Sequence, residues 1–312
     1  MRKKIFRHLA AVTIGCILAA GSISAQESAG LPFVRIDRDP VSAGMGFAGV
    51  ASPARTAYAA FRNSSLIPFT DSRISSGFNV QSWAPKGAKT TNFNFGTSLK
   101  LTKGLGISLG VASQAGEKYS VMSSTGEPKG TFKPSDFIIG GGAGLRILKR
   151  LSLGADFRYA SQKLSSDYST SALCADVFLT YRTPWHLTAT VGRSSFGSDV
   201  KSDSGESFSL PSSTTLGFYM PLNTALARLR FALDFDYYDS GEKTVASGME
   251  VNLLNLLSLR GGYHYGSEGA VLPSFWTLGL GVGYGGIKLD FAYLMANEDI
   301  GNSLTFGLSV SF

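Results

Sequence analysis

The sequence predicts an all-β fold: a transmembrane up-and-down antiparallel β-barrel of about 14 strands with a short N-terminal helical plug segment. Three observations carry this expectation. Apolar and polar residues alternate with a period of two along most of the chain, as strands with one apolar and one polar face require. The 312 residues include 37 Gly, 21 Phe and 12 Tyr, and only 16% are charged. Past the N-terminal leader no stretch is apolar enough for a membrane-spanning helix; even Val251 to Leu259 is interrupted by Asn252, Asn255 and Ser258. A closed ring of strands satisfies its own backbone polar groups and so crosses lipid without such a helix.

In chain order, the first element is a leader. Arg2, Lys3, Lys4 and Arg7 precede an apolar run from Leu9 to Ala20 and then the small residues before Gln26. This reads as a secretory signal peptide over residues 1–25, which places the mature protein outside the cytoplasm. Cys16 raises a lipoprotein alternative, but Thr13-Ile14-Gly15 before it make a poor lipobox. Removing the leader leaves 25 basic against 22 acidic side chains, a net of +3 instead of +7, so the basic character is mostly a targeting feature. Scattered basic residues argue against nucleic acid as a partner. Cys174 is then a lone thiol with no internal disulfide partner.

Residues 26–70 do not alternate. Ser52-Pro53 followed by Ala54 to Phe61 reads as an N-cap, a proline in the first turn and a short helix, so this stretch is expected to be a plug-like segment. Glycines on the inward face, at Gly140, Gly142, Gly144, Gly279, Gly281 and Gly283, suit either close approach of such a segment or relief of barrel curvature.

Residues 71–312 carry the barrel. Strands are expected near 71–83, 90–102, 105–115, 134–148, 151–163, 168–182, 185–197, 209–220, 226–239, 243–254, 257–266, 272–284, 286–297 and 301–312. Short links such as Lys149-Arg150 alternate with long ones such as Gly116 to Lys133 and Ser198 to Phe208, which is the connection pattern of an up-and-down barrel with both ends of its strand run on one side. Trp83, Trp185, Trp276, Tyr181, Tyr219 and Tyr284 fall near strand ends, where an aromatic girdle sits. The last strand puts Phe306, Leu308, Val310 and Phe312 on one face and ends on an aromatic residue, a barrel-assembly signal. A soluble β-sandwich also alternates, but it has no need of strands this long or of that terminus.

The inward face carries charge at Asp156, Arg158, Asp176, Arg182, Arg230, Asp234, Asp236, Arg260 and Asp290, with Arg228 and Lys288 nearby. These are candidate contacts for a ligand or for the plug, since buried charges need partners. No enzyme is expected: His186 and His264 lack metal-site spacing, and the glycine runs precede no helix that would bind phosphate. No metal and no cofactor are expected.

The run Leu31-Pro32-Phe33-Val34-Arg35-Ile36-Asp37-Arg38-Asp39-Pro40-Val41-Ser42-Ala43-Gly44-Met45-Gly46-Phe47-Ala48-Gly49-Val50-Ala51 resembles the opening of the PorV/PorQ family of outer-membrane proteins, with Phe61 to Phe69 in place of that family's Asn-Pro-Ala-like element. The resemblance returns in Ala292-Tyr293-Leu294 and in Gly301 to Phe312. It implies a fold similar to FadL-type 14-stranded barrels and a place in the outer membrane of a Gram-negative bacterium of the Bacteroidota. Two functions follow as expectations. In the first, a non-enzymatic barrel of PorV/PorQ type takes part in type IX secretion or surface-protein handling; the alternative is a FadL-like channel for a hydrophobic small molecule. The partners expected are outer-membrane lipid, the barrel-assembly machinery, and exported proteins or a hydrophobic ligand.

Overall fold

A computed structural model describes residues 30–312 apart from 55, 84–88, 123–126, 167, 203–206, 225, 269, 271 and 297–300. The leader expected over 1–25 lies outside the described residues. Fourteen strands form one closed antiparallel ring. They are β1 (Ile74–Trp83), β2 (Thr90–Lys100), β3 (Leu105–Gly116), β4 (Ser135–Leu148), β5 (Leu151–Lys163), β6 (Ser169–Arg182) and β7 (Thr188–Gly197), followed by β8 (Ser213–Asn223), β9 (Ala227–Tyr238), β10 (Lys243–Leu253), β11 (Leu257–Gly266), β12 (Phe275–Tyr284), β13 (Ile287–Met295) and β14 (Ser303–Ser311). Each strand pairs with its sequence neighbour. The ring closes where β1 meets β14 in the register Ser75↔Ser311 to Ser82↔Leu304. This is the fold class the alternation predicts.

Strand parity sorts the side chains. Along β14, Leu304, Phe306 and Leu308 face outward and Ser303 and Thr305 face the lumen. Phe157 and Leu109, 67% and 60% exposed, belong to an outer surface that is apolar on every side. Water would penalise that surface at about 25 cal/mol per Å², whereas lipid does not. Tyr181, Trp185, Trp276 and Tyr284 lie on this exterior near strand ends. Trp83 and Tyr219 do not: both are buried in the lumen, because Trp83 shares its parity with Asn79 and Gln81, and Tyr219 shares its parity with Thr215 and Gly217.

Short turns join the strands at the end of the ring that carries Ile74 and Ser311, here the turn end; long connections mark the opposite loop end. Two of these form small hairpins, Tyr119–Met122 with Pro128–Phe132 and Val200–Ser202 with Ser207–Phe208. The second adds to the free edge of β6 beyond the point where β7 leaves it.

Residues 30–70 run through the lumen from the loop end to the turn end. Gly30 N–H donates to the Ser209 carbonyl at 2.9 Å at one end, and the Lys100 ammonium donates to the Thr70 carbonyl at 2.5 Å at the other. The helix expected over Ser52 to Phe61 does not form. Among the described residues of that stretch only Ala59–Phe61 is helical, as a single 3-10 turn. An isolated helix of that length is marginal, and the wall offers this backbone hydrogen-bond partners instead. The N-cap-plus-proline signal operates one motif earlier: Asp39 accepts from Val41 N–H and starts the one-turn helix α1 (Pro40–Ala43).

Candidate functional site in the barrel lumen

The lumen segment is fixed most tightly toward the turn end. The Asn63 side chain caps the 3-10 helix Ser64–Phe69 by accepting from Ser65 N–H at 3.0 Å. Asp156 on β5 accepts from Ser64 N–H at 3.1 Å and also from the Ser64 hydroxyl. Hydroxyls tie the same turn to the wall: Ser64 to Ser108 at 2.6 Å, Ser65 to Thr180 at 2.6 Å, and Ser152 to the Ser65 carbonyl at 2.6 Å. The backbones can approach this closely because the wall is glycine there. A Cβ at Gly144 would stand 2.0 Å from the Ser64 carbonyl oxygen, and one at Gly154 would stand 2.3 Å from Ser65 N.

Halfway up, Asp234 on β9 accepts from Gly49 and Val50 N–H at 2.7 and 2.8 Å, with the Arg62 guanidinium 3.7 Å away. Arg62 also pairs with Asp37 at 2.8 Å and donates to the Phe47 carbonyl at 2.9 Å, which ties two parts of the segment together. Gly46, at φ +68°, presses its backbone onto Tyr263 and donates to Thr277 at 2.7 Å. Beside it, Arg230, Glu250, Arg260 and Asp290 form a run of alternating charges across β9, β10, β11 and β13, with Arg260 2.6 Å from Glu250 and 2.9 Å from Asp290.

The loop end of the lumen is different. Phe33, Val34 and Ile36 pack against inward-facing apolar side chains, among them Ile138, Phe275 and Leu294, and Phe47 meets Phe275 edge-on at 5.0 Å. His264 stacks on Phe275 at 4.7 Å. Arg35 holds Glu242 at 2.6 Å and lies 3.9 Å over the Tyr238 ring. Arg158 reaches Asp176 at 2.6 Å, and the same carboxylate accepts from Ser195 N–H at 2.6 Å. Between the segment and β5–β11 lies a cavity of about 160 Å³, with Phe47, Phe61 and Phe178 in its wall beside Arg38, Arg158 and Asp236. Apolar walls in this half were not among the expectations drawn from the inward glycines and charges.

Of the inward charges singled out from sequence, Asp156 and Asp234 meet the lumen segment directly, and Arg230, Arg260 and Asp290 share the ion-pair run. Arg158 and Asp176 pair with each other, and Asp236 accepts from the Thr215 and Thr244 hydroxyls. Arg182 stands apart from Asp176, near the turn end, 3.5 Å from the Phe69 carbonyl and 3.3 Å from His186 Nδ1. Phe306, Leu308 and Phe312 lie exposed on the outer face, and Val310 is half-buried on the same strand. Glu250 was missed. Its parity between Met249 and Val251 points it inward, and it is fully buried between two arginines. Arg35, Arg38 and Arg62 were visible only as part of a motif. Among the described residues no group of His, Cys, Asp and Glu is placed to hold a metal ion.

The closed 14-stranded ring is similar in fold to solved outer-membrane barrels of FadL type. Solved structures of that type superpose on it along most of their length. The monoaromatic hydrocarbon channel CymD aligns with a TM-score of 0.63 at 13% identity, covering 88% of this chain and 97% of its own. The Pseudomonas putida toluene transporter TodX gives 0.62 at 12% identity, covering 88% and 98%, and a Pseudomonas aeruginosa FadL homologue gives 0.56 at 11%, covering 87% and 98%. No family model and no curated protein matches the sequence.

Proposed function

We propose that this protein is a non-enzymatic outer-membrane channel of FadL type, in which residues 30–70 are the stopper and a small molecule passes when the stopper rearranges. The observation that carries the reading is the 160 Å³ cavity between segment and wall at the loop end, which an inert filled barrel would not need. The likeness to channels for hydrocarbons supports the same direction. In this reading the loop end faces the exterior, the turn end faces the periplasm, and the leader directs export. The outer surface meets outer-membrane lipid, and the terminal strand with Phe306, Leu308, Val310 and Phe312 is what the assembly machinery grips.

The test is a reversible lock. The Ser64 and Ser108 hydroxyl oxygens lie 2.6 Å apart, so a Ser64→Cys/Ser108→Cys pair is placed to form a disulfide between stopper and wall. In planar bilayers the reduced double variant should open as the natural protein does, and oxidation should abolish openings. Equal conductance in both redox states would remove the stopper from the mechanism.

The PorV/PorQ resemblance supports a second reading, in which the long loops meet exported proteins as in type IX secretion. The residues that carry the resemblance, Arg35, Asp37, Arg38, Gly44, Met45 and Gly46, all contact the inside of the barrel. In this chain they account for the stopper, so the secretion reading depends on the loops. Cross-linking from Tyr119 to Phe132 in cells would capture a secreted partner if the reading holds.

A further inference from the structure

The turn end of the ring carries charge of nearly one sign. Basic side chains follow one another around its rim from β1 to β6, and backbone hydrogen bonds make them neighbours. Lys100 N–H donates to the Arg73 carbonyl at 2.8 Å, and Arg146 N–H donates to the Gly104 carbonyl, next to Lys103, at 2.7 Å. Arg182 N–H donates to the Arg150 carbonyl, next to Lys149, at 2.8 Å. Against these cations the rim of the same arc sets one carboxylate among the described residues, Asp71. Asp156, deeper on β5, is buried and already accepts from Ser64. The loop end differs: exposed residues of both signs lie close in sequence there, as Glu117 with Lys118 and Asp239 with Lys243.

What the cations touch divides the arc in two. Lys100 and Arg146 donate to the Thr70 and Pro68 carbonyls, and Arg182 lies 3.5 Å from the Phe69 carbonyl, so these three are engaged by the lumen segment. Arg73, Lys103, Lys149 and Arg150 are exposed and make no ion pair among the described residues. Each of these four stands within two residues of an exposed apolar side chain: Ile74 after Arg73, Leu101 before Lys103, and Leu148 before Lys149 and Arg150. Trp185 is exposed in the adjoining turn between β6 and β7. Long basic side chains lay their stems along apolar surface and carry their charge to the membrane interface, the level that tryptophan also prefers.

We infer that the arc from β1 to β6 binds the phosphates of anionic phospholipid in the leaflet at the turn end. Lipid is the occupant because the flanking apolar side chains already hold these cations in the headgroup layer, and an acidic protein would have to displace that layer to reach them. Basic side chains attract an anionic lipid surface over about one Debye length, and no facing carboxylate cancels that attraction here. The mixed signs of the loop end give no such preference. The inference rests on the barrel standing in a membrane, and passage of a ligand does not enter it.

The experiment is tryptophan quenching in the full-length barrel, reconstituted in phosphatidylcholine vesicles that contain a minor fraction of brominated phosphatidylglycerol or, in parallel, the same fraction of brominated phosphatidylcholine. With Trp83→Phe and Trp276→Phe, Trp185 reports on the turn end; with Trp83→Phe and Trp185→Phe, Trp276 reports on the outer surface near the start of β12. Brominated phosphatidylglycerol should quench Trp185 at least about twofold more than brominated phosphatidylcholine, and should quench Trp276 no more than it does. Lys103→Gln, Lys149→Gln and Arg150→Gln together should bring the two lipids to parity at Trp185, and high salt should do the same. Heat-modifiable gel mobility confirms that each variant is folded. Native mass spectrometry, with every tryptophan in place, should find phosphatidylglycerol retained by the natural protein and lost from the triple variant. Equal quenching of Trp185 by the two lipids, the same preference at Trp276, or a preference that survives the triple substitution would each overturn the assignment. Displacement of the lipid by millimolar inorganic phosphate would overturn it too, and would give the arc to a soluble anion.

Discussion

The two halves of the lumen hold the same segment by opposite means. Toward the turn end, side chains of the wall hydrogen-bond the segment's backbone and hydroxyls: Asp156 and Ser152 reach backbone groups of Ser64 and Ser65, Ser108 and Thr180 reach their hydroxyls, and glycines let the chains touch. Toward the loop end, apolar side chains of the segment pack against apolar side chains of the wall, and a cavity remains. Hydrogen bonds fix direction and distance, whereas dispersion contacts tolerate sliding and repacking. The lower half is therefore the latch that has to release for passage, and the upper half is the part able to repack around a guest.

The contrast can be broken at its midpoint with the largest effect. Asp234→Ala removes the acceptor for two buried N–H groups and a charge partner of Arg62, and should destabilise the seated segment by about 4 kcal/mol, read as a fall in the temperature of heat-modifiable gel mobility. Asp234→Asn should lose less, because one oxygen still accepts. Ile138→Ala, fully buried at the loop end, should cost about 3 kcal/mol. Hydrogen exchange should then rise at residues 31–36 and stay protected at 64–69; a uniform rise would mean that the halves are not separable. Gly144→Ala forces a methyl group onto the Ser64 carbonyl and should cost about 2 kcal/mol, with the reverse pattern of exchange. The smallest effect belongs to Arg193→Ala. Its partner Asp239 is largely exposed, and the loss should stay below about 0.5 kcal/mol in the same melting assay.

The same contrast explains what could be read from the sequence. A two-residue period reports which face of a strand a residue takes, so the ring, its fourteen strands and the inward position of Asp156 or Asp234 were all legible. Trp83 was placed on the girdle from its position at a strand end, although its parity with Gln81 already sent it inward. Glu250 was legible by the same rule. Residues 30–70 have no period, and their conformation is set by partners contributed from distant strands, such as Thr277 for Gly46 and Asp156 for Ser64. No local pattern encodes such pairings. Proline after a capping residue occurs at both Asp39 and Ser52, and only tertiary contacts decide which one starts a helix. The cavity was the least legible feature, since it depends on what the segment leaves unfilled.

The seam between β1 and β14 joins the strand that directly follows the lumen segment to the last strand of the chain. The lumen segment thus precedes the wall in the chain, and the wall is closed only when β1 and β14 pair. Bulky groups such as Phe33, Arg38 and Phe47 would have to pass the whole bore to enter a completed ring, whereas a sheet still open at its seam can fold around them. In that order of events the lumen segment would be the former on which the barrel is wound.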